Sequence, residues 1–242
     1  QSTFKLVDEI NNLSLSSEFQ ISIIIVNDAS NHDRPEEDKN LENIHSFKII
    51  NMKKNQGHAR CIATGLKYIF EKEDFDYVIP MDGDGEDRPE ELNLLIKKIK
   101  EYPDTVVIAE RVKRSEGFIF KFCYLAHKYL TFIFTGQTIK FGNYTCLPKS
   151  IVVKLVNESA TWSSFSGSLA KISKDKISIP SERGTRYFGP SKMSFVNLLK
   201  HSLSIIAVFK ITLLIRSIFF LAVYLFLVIG KISFITLIPV VG

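Results

Sequence analysis

Cysteine is scarce: Cys61, Cys123 and Cys146 are the only three in 242 residues. They are widely spaced and odd in number, and none forms a Cys-x-x-Cys or Cys/His pair, which argues against a disulfide framework or zinc site and for a reducing compartment. His58, His127 and His201 show no metal-binding spacing, and no chemistry is assigned to them. Neither Gly-x-Gly-x-x-Gly nor the P-loop pattern occurs, so dinucleotide and P-loop readings lack their phosphate cradles. There is no internal repeat, no low-complexity linker and no stretch that reads as a signal peptide. The excess of positive charge is mild, at +5, and residues such as Lys97, Lys98 and Lys100 read as a solvated helix face rather than a nucleic-acid footprint. Charge is nearly missing from one region: residues 205–241 contain only Lys210, Arg216 and Lys231. That contrast divides the chain into a part built for water and a part built for a membrane.

The water-facing part alternates strands and helices. Phe4, Val7 and Ile10 repeat at helical spacing. The continuous run Ile21-Ser22-Ile23-Ile24-Ile25-Val26 reads as a buried parallel strand that breaks into Asn27-Asp28-Ala29-Ser30. A second strand is expected at residues 47–51. A helix follows Asn55-Gln56-Gly57, with Ala59, Ile62, Ala63, Leu66, Ile69 and Phe70 on its apolar face. Residues 77–81 form the next strand and run directly into Asp82-Gly83-Asp84-Gly85-Glu86-Asp87. Pro89 suits the first turn of the helix after them. A strand at residues 105–109 ends at Glu110-Arg111. The alternation predicts an α/β, doubly wound, mostly parallel sheet, in which ligands bind beyond the carboxyl ends of strands. Asp28, Asp82, Asp84 and Arg111 all fall at such ends.

Asp82 and Asp84 are two residues apart, so an extended segment turns both carboxylates to one side, and Glu86 continues the spacing. Three such oxygen donors suit a hard divalent cation, Mg²⁺ or Mn²⁺, which would neutralise a diphosphate leaving group. The competing reading is a solvated acidic turn with Asp87 as helix N-cap. The strand leading into the cluster and the second acidic strand end at Asp28 favour the metal.

Four segments then occur in order: Val26-Asn27-Asp28-Ala29-Ser30, Asn55-Gln56-Gly57-His58-Ala59, Met81-Asp82-Gly83-Asp84 with Pro89-Glu90, and Arg186-Tyr187-Phe188-Gly189-Pro190-Ser191-Lys192. Together they resemble the family 2 glycosyltransferases of the GT-A fold, in the branch of the dolichyl-phosphate mannose synthases and bacterial polyprenyl-phosphate sugar transferases. The resemblance implies a Rossmann-like, mostly parallel sheet flanked by helices. It assigns Asp28, Asn55, Gly57, Asp82 and Arg111 to the nucleotide-sugar donor, and Asp82, Asp84 and Glu86 to the metal. Arg186, Ser191 and Lys192 fall to a phosphate acceptor, and Asp82, Asp84 and Arg186 to catalysis. Inversion at the anomeric carbon is implied as well. Three differences from the family stand out. The opening strand with its Pro-x-Tyr-Asn-Glu loop is absent from the sequence. The loop that usually carries an aspartate before Ser-Gly-Phe reads Thr138-Ile139-Lys140-Phe141-Gly142-Asn143-Tyr144. The apolar C-terminal stretch reaches Gly242, short of a second span. No Gln-x-x-Arg-Trp is present, against a processive polysaccharide synthase, and the sole tryptophan, Trp162, reads as a core or interface residue.

Residues 211–230 hold Arg216 as their only charge, about the length a bilayer span needs, and Arg216 can snorkel toward headgroups. Residues 195–215 are equally compatible with an interfacial helix. The basic flank at Lys192, Lys200 and Lys210 places the soluble part in the cytoplasm. The expected organisation is a catalytic domain at 1–195 and an amphipathic or transmembrane segment at 196–242. The expected reaction moves one sugar from a UDP- or GDP-sugar to a lipid-linked acceptor, polyprenyl phosphate. Two alternatives are transfer to a glycan or glycolipid hydroxyl, and a membrane-anchored nucleotide-sugar-binding protein without catalysis.

Overall fold

The computed structural model describes residues 2–13, 18–30, 41–112, 118–189 and 195–229. Helix α1 (Ser2–Asn11) turns Leu6, Val7 and Ile10 inward, three and four residues apart as a buried helix face requires. Strands β1 (Ser22–Asn27) and β2 (Ser46–Asn51) pair in parallel from Ser22↔Ser46 to Asn27↔Asn51. Their polar ends fix the register: Ser46 Oγ donates to Ser22 Oγ at 2.9 Å and Asn27 Nδ2 to Asn51 Oδ1 at 3.0 Å. Helix α2 (His58–Lys72) packs Ala63 and Leu66 inward, while Phe70, expected on its buried face, is 41% exposed.

Strand β3 is only Tyr77–Val78, shorter than the sequence suggests, because Pro80 has no N–H to extend the ladder. A 3₁₀ turn at Pro89–Glu91 leads into α3 (Leu92–Glu101), which buries Leu92, Leu95, Ile96 and Ile99. Each such side chain contributes roughly 1.5–3 kcal/mol of transfer free energy. Then follow β4 (Val106–Arg111), α4 (Phe118–Thr135), β5 (Phe141–Pro148), α5 (Lys149–Asn157), a 3₁₀ turn at Ser159–Trp162, α6 (Phe165–Ile172) and β6 (Lys176–Ser181).

The second sheet has the order β3-β5-β4-β6, with β5 antiparallel to β3 and β4, and β6 parallel to β4. The mostly parallel sheet expected from the alternation is thereby corrected to an α/β fold with mixed sheets. The stretch around Gly142-Asn143, taken for a loop, belongs to β5, whose residues 144–148 are all buried. Its direction is set by tertiary packing, which a local pattern does not carry. No hydrogen-bonded strand joins β1 and β2 to the larger sheet among the described residues. One core cluster bridges them instead: Leu6, Val7, Leu95, Val107 and Tyr144 are packed by Ile23 and Ile25 of β1 and by Tyr77, Ile79 and Met81.

The chain continues into α7 (Phe195–Ala207) and α8 (Lys210–Val228). Val208 and Phe209 join the second core cluster, with Leu147, Leu155, Phe165 and Leu169. Packing against this core therefore runs to Phe209. Beyond it α8 buries nothing. Among the described residues it is the one helix long and apolar enough to cross a membrane, with 19 residues and mean hydropathy 2.4.

Candidate functional site

The loop after β3 gathers the acidic residues and gives each a different partner. Asp87 is 4% exposed and its Oδ2 accepts from the Asp82 N–H at 2.9 Å, so it is not the solvated N-cap of the competing reading. Burial, and then the charge of Asp82, push the Asp87 carboxyl well above the usual carboxylate range. Arg111, at the end of β4, lies 3.6 Å from its other oxygen. Asp84 Oδ1 accepts from the Glu86 N–H at 3.0 Å, closing a tight turn around Gly85. Gly85 has φ +90°, and a Cβ there would lie 2.7 Å from the Tyr187 ring, so only glycine fits.

A strap formed by residues 182–189, after β6, crosses this loop. The Gly184 N–H donates to Glu86 O at 2.9 Å and the Tyr187 N–H to Asp84 O at 3.0 Å, so the backbones are sewn together. Arg186 spans the carboxylates, with Nε 2.7 Å from Glu86 Oε1 and Nη2 3.1 Å from Asp84 Oδ2. Arg183 pairs with the other Glu86 oxygen. Burial would raise the Glu86 carboxyl, but hydrogen bonds from Arg186 and Arg183 outweigh it and hold the group below its ordinary range. Tyr187 ties the strap to α1 by donating its hydroxyl to Glu9, with Lys5 Nζ 4.6 Å from its ring centre.

On the other side of the loop, Asp28 closes the turn that starts α2. Its two oxygens accept from the Gln56 N–H at 2.7 Å and the Gly57 N–H at 2.8 Å. Gly57 has φ +88°, which turns the chain so that the next residue, His58, faces the acidic loop. His58 Nε2 lies 3.4 Å from Asp82 Oδ1 and 2.5 Å from Asn143 Nδ2 of β5. Asn55 is exposed at the mouth of this turn. The structure thus brings Asp82, Asp84, Glu86, Arg111 and Arg186 together, with Asp28 connected through Gly57 and His58. Ser191 and Lys192 lie outside the described residues. Sequence reasoning did not single out His58, Asn143, Arg183 or Tyr187. His58 and Tyr187 lay in quoted segments without a role of their own, Asn143 in the stretch that differs from the family, and Arg183 three residues before the Arg186 motif.

The residues fit a divalent cation in part. Asp82 Oδ1 is buried and accepts no hydrogen bond, with His58 Nε2 as its neighbour at 3.4 Å, so it has room for a cation. Asp84 Oδ2 faces Arg186, a contact that a bound ion can replace. Glu86 is committed to two arginines, and among the described residues no three His, Cys, Asp or Glu side chains converge on one point. The expected set of Asp82, Asp84 and Glu86 is therefore not assembled. The fit is to a two-carboxylate site completed by ligand oxygens. An open cavity of about 770 Å³ lies against Lys53, Arg60 and Trp162, but it is lined by none of the acidic residues and shares only Gln56 with the Asp28 turn. The buried Asp82 oxygen that accepts no hydrogen bond and the paired charges locate the chemistry better than cavity size does.

The Glycosyl transferase family 2 model matches residues 5–153, more than half of the chain. The match runs from α1 through β5 and into α5, and so takes in Asp28, His58, the acidic loop and Arg111. It stops before the strap, whose contact with the loop is known from the structure alone. An α/β fold of mixed sheets is consistent with the GT-A architecture, and the family implies a nucleotide-sugar donor. The chain belongs to glycosyl transferase family 2, and it is a glycosyltransferase.

Proposed function

We propose that the enzyme moves a single sugar from a UDP- or GDP-sugar onto polyprenyl phosphate, with inversion, at the cytoplasmic face of a membrane. The observation that carries this reading is the ion pair of Asp84, two residues from Asp82, with Arg186, which belongs to a strap placed just before the apolar helices. Asp82 and Asp84 would hold Mg²⁺ or Mn²⁺, which when bound supplies charge neutralisation and Lewis acidity at the departing diphosphate. Asp28, Asn55, Gly57 and Arg111 would make the donor side. An anion entering the site competes with Asp84 for Arg186, whose planar guanidinium suits bidentate contact with phosphate. A lipid phosphate is already anionic near neutral pH, so it needs cations to hold it more than a base to deprotonate it. Ser191 and Lys192 would extend that grip. The basic residues Lys200 and Lys210 around α7 and α8 support the cytoplasmic placement.

One observation favours a second reading. His58, 3.4 Å from Asp82, is positioned to take a proton from a hydroxyl, which would suit a glycan or glycolipid acceptor. The two separate by acceptor and by variant. With a phosphate acceptor, Arg186→Ala raises the apparent acceptor KM and leaves donor binding nearly unchanged, while His58→Gln costs less than about ten-fold in kcat, below a general base's usual contribution. Efficient transfer to a soluble glycan, none to polyprenyl phosphate, and a large kcat loss in His58→Gln would replace the first reading by the second.

A further inference from the structure

The outward face of α4 is the reverse of what a helix shows to water. Leu125, Tyr129, Phe132 and Ile133, at i, i+4, i+7 and i+8, are 43–58% exposed. Thr131 and Thr135, turned away from that face, are only 2% and 3% exposed. In a water-facing helix the two sets would be exchanged. Thr135 meets its hydroxyl's needs locally, donating to Thr131 O at 2.6 Å.

Another side of α4 packs against α8. Phe134 meets Phe220 edge-to-face at 6.1 Å, and Arg216 reaches back to the end of α4, its Nη1 3.1 Å from Phe132 O and 2.7 Å from Ile133 O. Those carbonyls carry the negative end of the α4 dipole, a natural partner for a guanidinium. Gly136, at φ +73°, makes room: a Cβ there would lie 2.7 Å from Arg216 Nη2. Arg216 is the only charge in residues 211–229, and it hydrogen-bonds to α4. It stands six residues beyond Lys210, about 9 Å along the helix at 1.5 Å per residue. If α8 enters a bilayer from its first turn, the end of α4 is carried to the same depth.

We propose that α4 is a second membrane-contacting element. It lies at the boundary of headgroups and acyl chains with Leu125, Tyr129, Phe132 and Ile133 against lipid, and Arg216 fastens it to α8. The inference rests on the reading of α8 as membrane-inserted. Its consequence is positional: α4 joins β4, which ends at Arg111, to β5, which carries Asn143 beside His58. Docking α4 therefore sets the height of the sugar-transfer site above the lipid.

The test uses the full chain in phosphatidylcholine vesicles brominated near the glycerol end of the acyl chains, in a Trp162→Phe background that leaves one reporter at a time. Phe132→Trp reports α4, Phe226→Trp reports α8 and Tyr102→Trp is the aqueous control. Bromolipid is expected to quench both helix reporters about two-fold or more and to leave the control unchanged. Arg216→Ala should restore the Phe132→Trp emission while Phe226→Trp stays quenched, and Arg216→Lys should keep part of the α4 signal. Quenching at Phe226→Trp without quenching at Phe132→Trp overturns the inference and leaves the α8 reading standing. The same holds for a Phe132→Trp signal that neither acrylamide nor bromolipid quenches, which would mean a protein cover. No quenching at Phe226→Trp removes the membrane reading and the inference with it. Unchanged α4 quenching in Arg216→Ala overturns the fastening role.

Discussion

Changing Glu86 to Gln separates an anchor for arginines from a ligand for metal. The Glu86 side chain is 9% exposed and accepts from Arg186 Nε at 2.7 Å and from Arg183. Hydrogen bonds to charged groups contribute about 1.5–3 kcal/mol each. Glutamine keeps the shape and one acceptor, so roughly one such contact is lost. Arg186 and Arg183 are 26% and 35% exposed, and Arg186 retains Asp84 at 3.1 Å, so water and Asp84 recover part of the loss. The net is about 1–2 kcal/mol, below the ~3–5 kcal/mol of a fully buried broken pair. At about 2–4 °C per kcal/mol, Tm of the detergent-solubilised chain should fall by roughly 2–8 °C. Calorimetric titration with Mn²⁺ and nucleotide sugar should show donor affinity within about three-fold of wild type, since Asp82 and Asp84 are untouched. An unchanged Tm together with a donor affinity lowered more than about ten-fold would refute the anchor role and return Glu86 to the metal.

Four further outcomes follow from the same geometry. Asp84→Asn should abolish Mn²⁺-dependent donor binding with near-native circular dichroism; a variant that turns over at the wild-type rate would remove Asp84 from the site. Gly85→Ala meets both a φ of +90° and the Tyr187 ring at 2.7 Å, and a cost of about 2–4 kcal/mol is expected, lessened in a Tyr187→Ala background; additive losses in that cycle would deny the contact. Burial and then Asp28 push the Cys61 thiol up to about 12, so iodoacetamide at mildly alkaline pH should alkylate it more than ~100-fold more slowly than in the denatured chain, and Asp28→Asn should speed it; fast native labelling, read by peptide mapping, would contradict this. Truncation after Phe209 should leave a folded domain that alkaline carbonate strips from membranes, whereas truncation from Ile205 removes three buried side chains, Ile205, Val208 and Phe209, and should unfold it. Equal stability of the two would mean the core does not extend to Phe209.

Elements with strong local signals were legible in the sequence. The Ile23-Ile24-Ile25-Val26 run, the Leu92, Leu95, Ile96 and Ile99 face and the placement of Asp28, Asp82, Asp84 and Arg111 near strand ends were all visible in spacing. What was not visible depends on partners distant in sequence. The reversed direction of β5 is set by where Tyr144 and Leu147 find a core. Glu86 shares the spacing of Asp82 and Asp84, but the side chains that claim it lie 97 and 100 residues away. His58 lay in a quoted segment but was given no chemistry, and its position follows from the Asp28 carboxylate holding the Gln56 and Gly57 amides. The α4 helix was hidden for another reason: an apolar helix looks alike in sequence whether its face meets a core or a bilayer.

The most direct measurement of the central claim, sugar transfer at the Asp82–Asp84 pair, follows label from radiolabelled UDP- and GDP-sugars into polyprenyl phosphate, using the full chain in vesicles. The wild-type protein should give a metal-dependent lipid-linked product with matching nucleotide release, and Asp84→Asn should give neither while remaining folded. Metal-dependent lipid labelling that continues at the wild-type rate in Asp84→Asn would contradict the account.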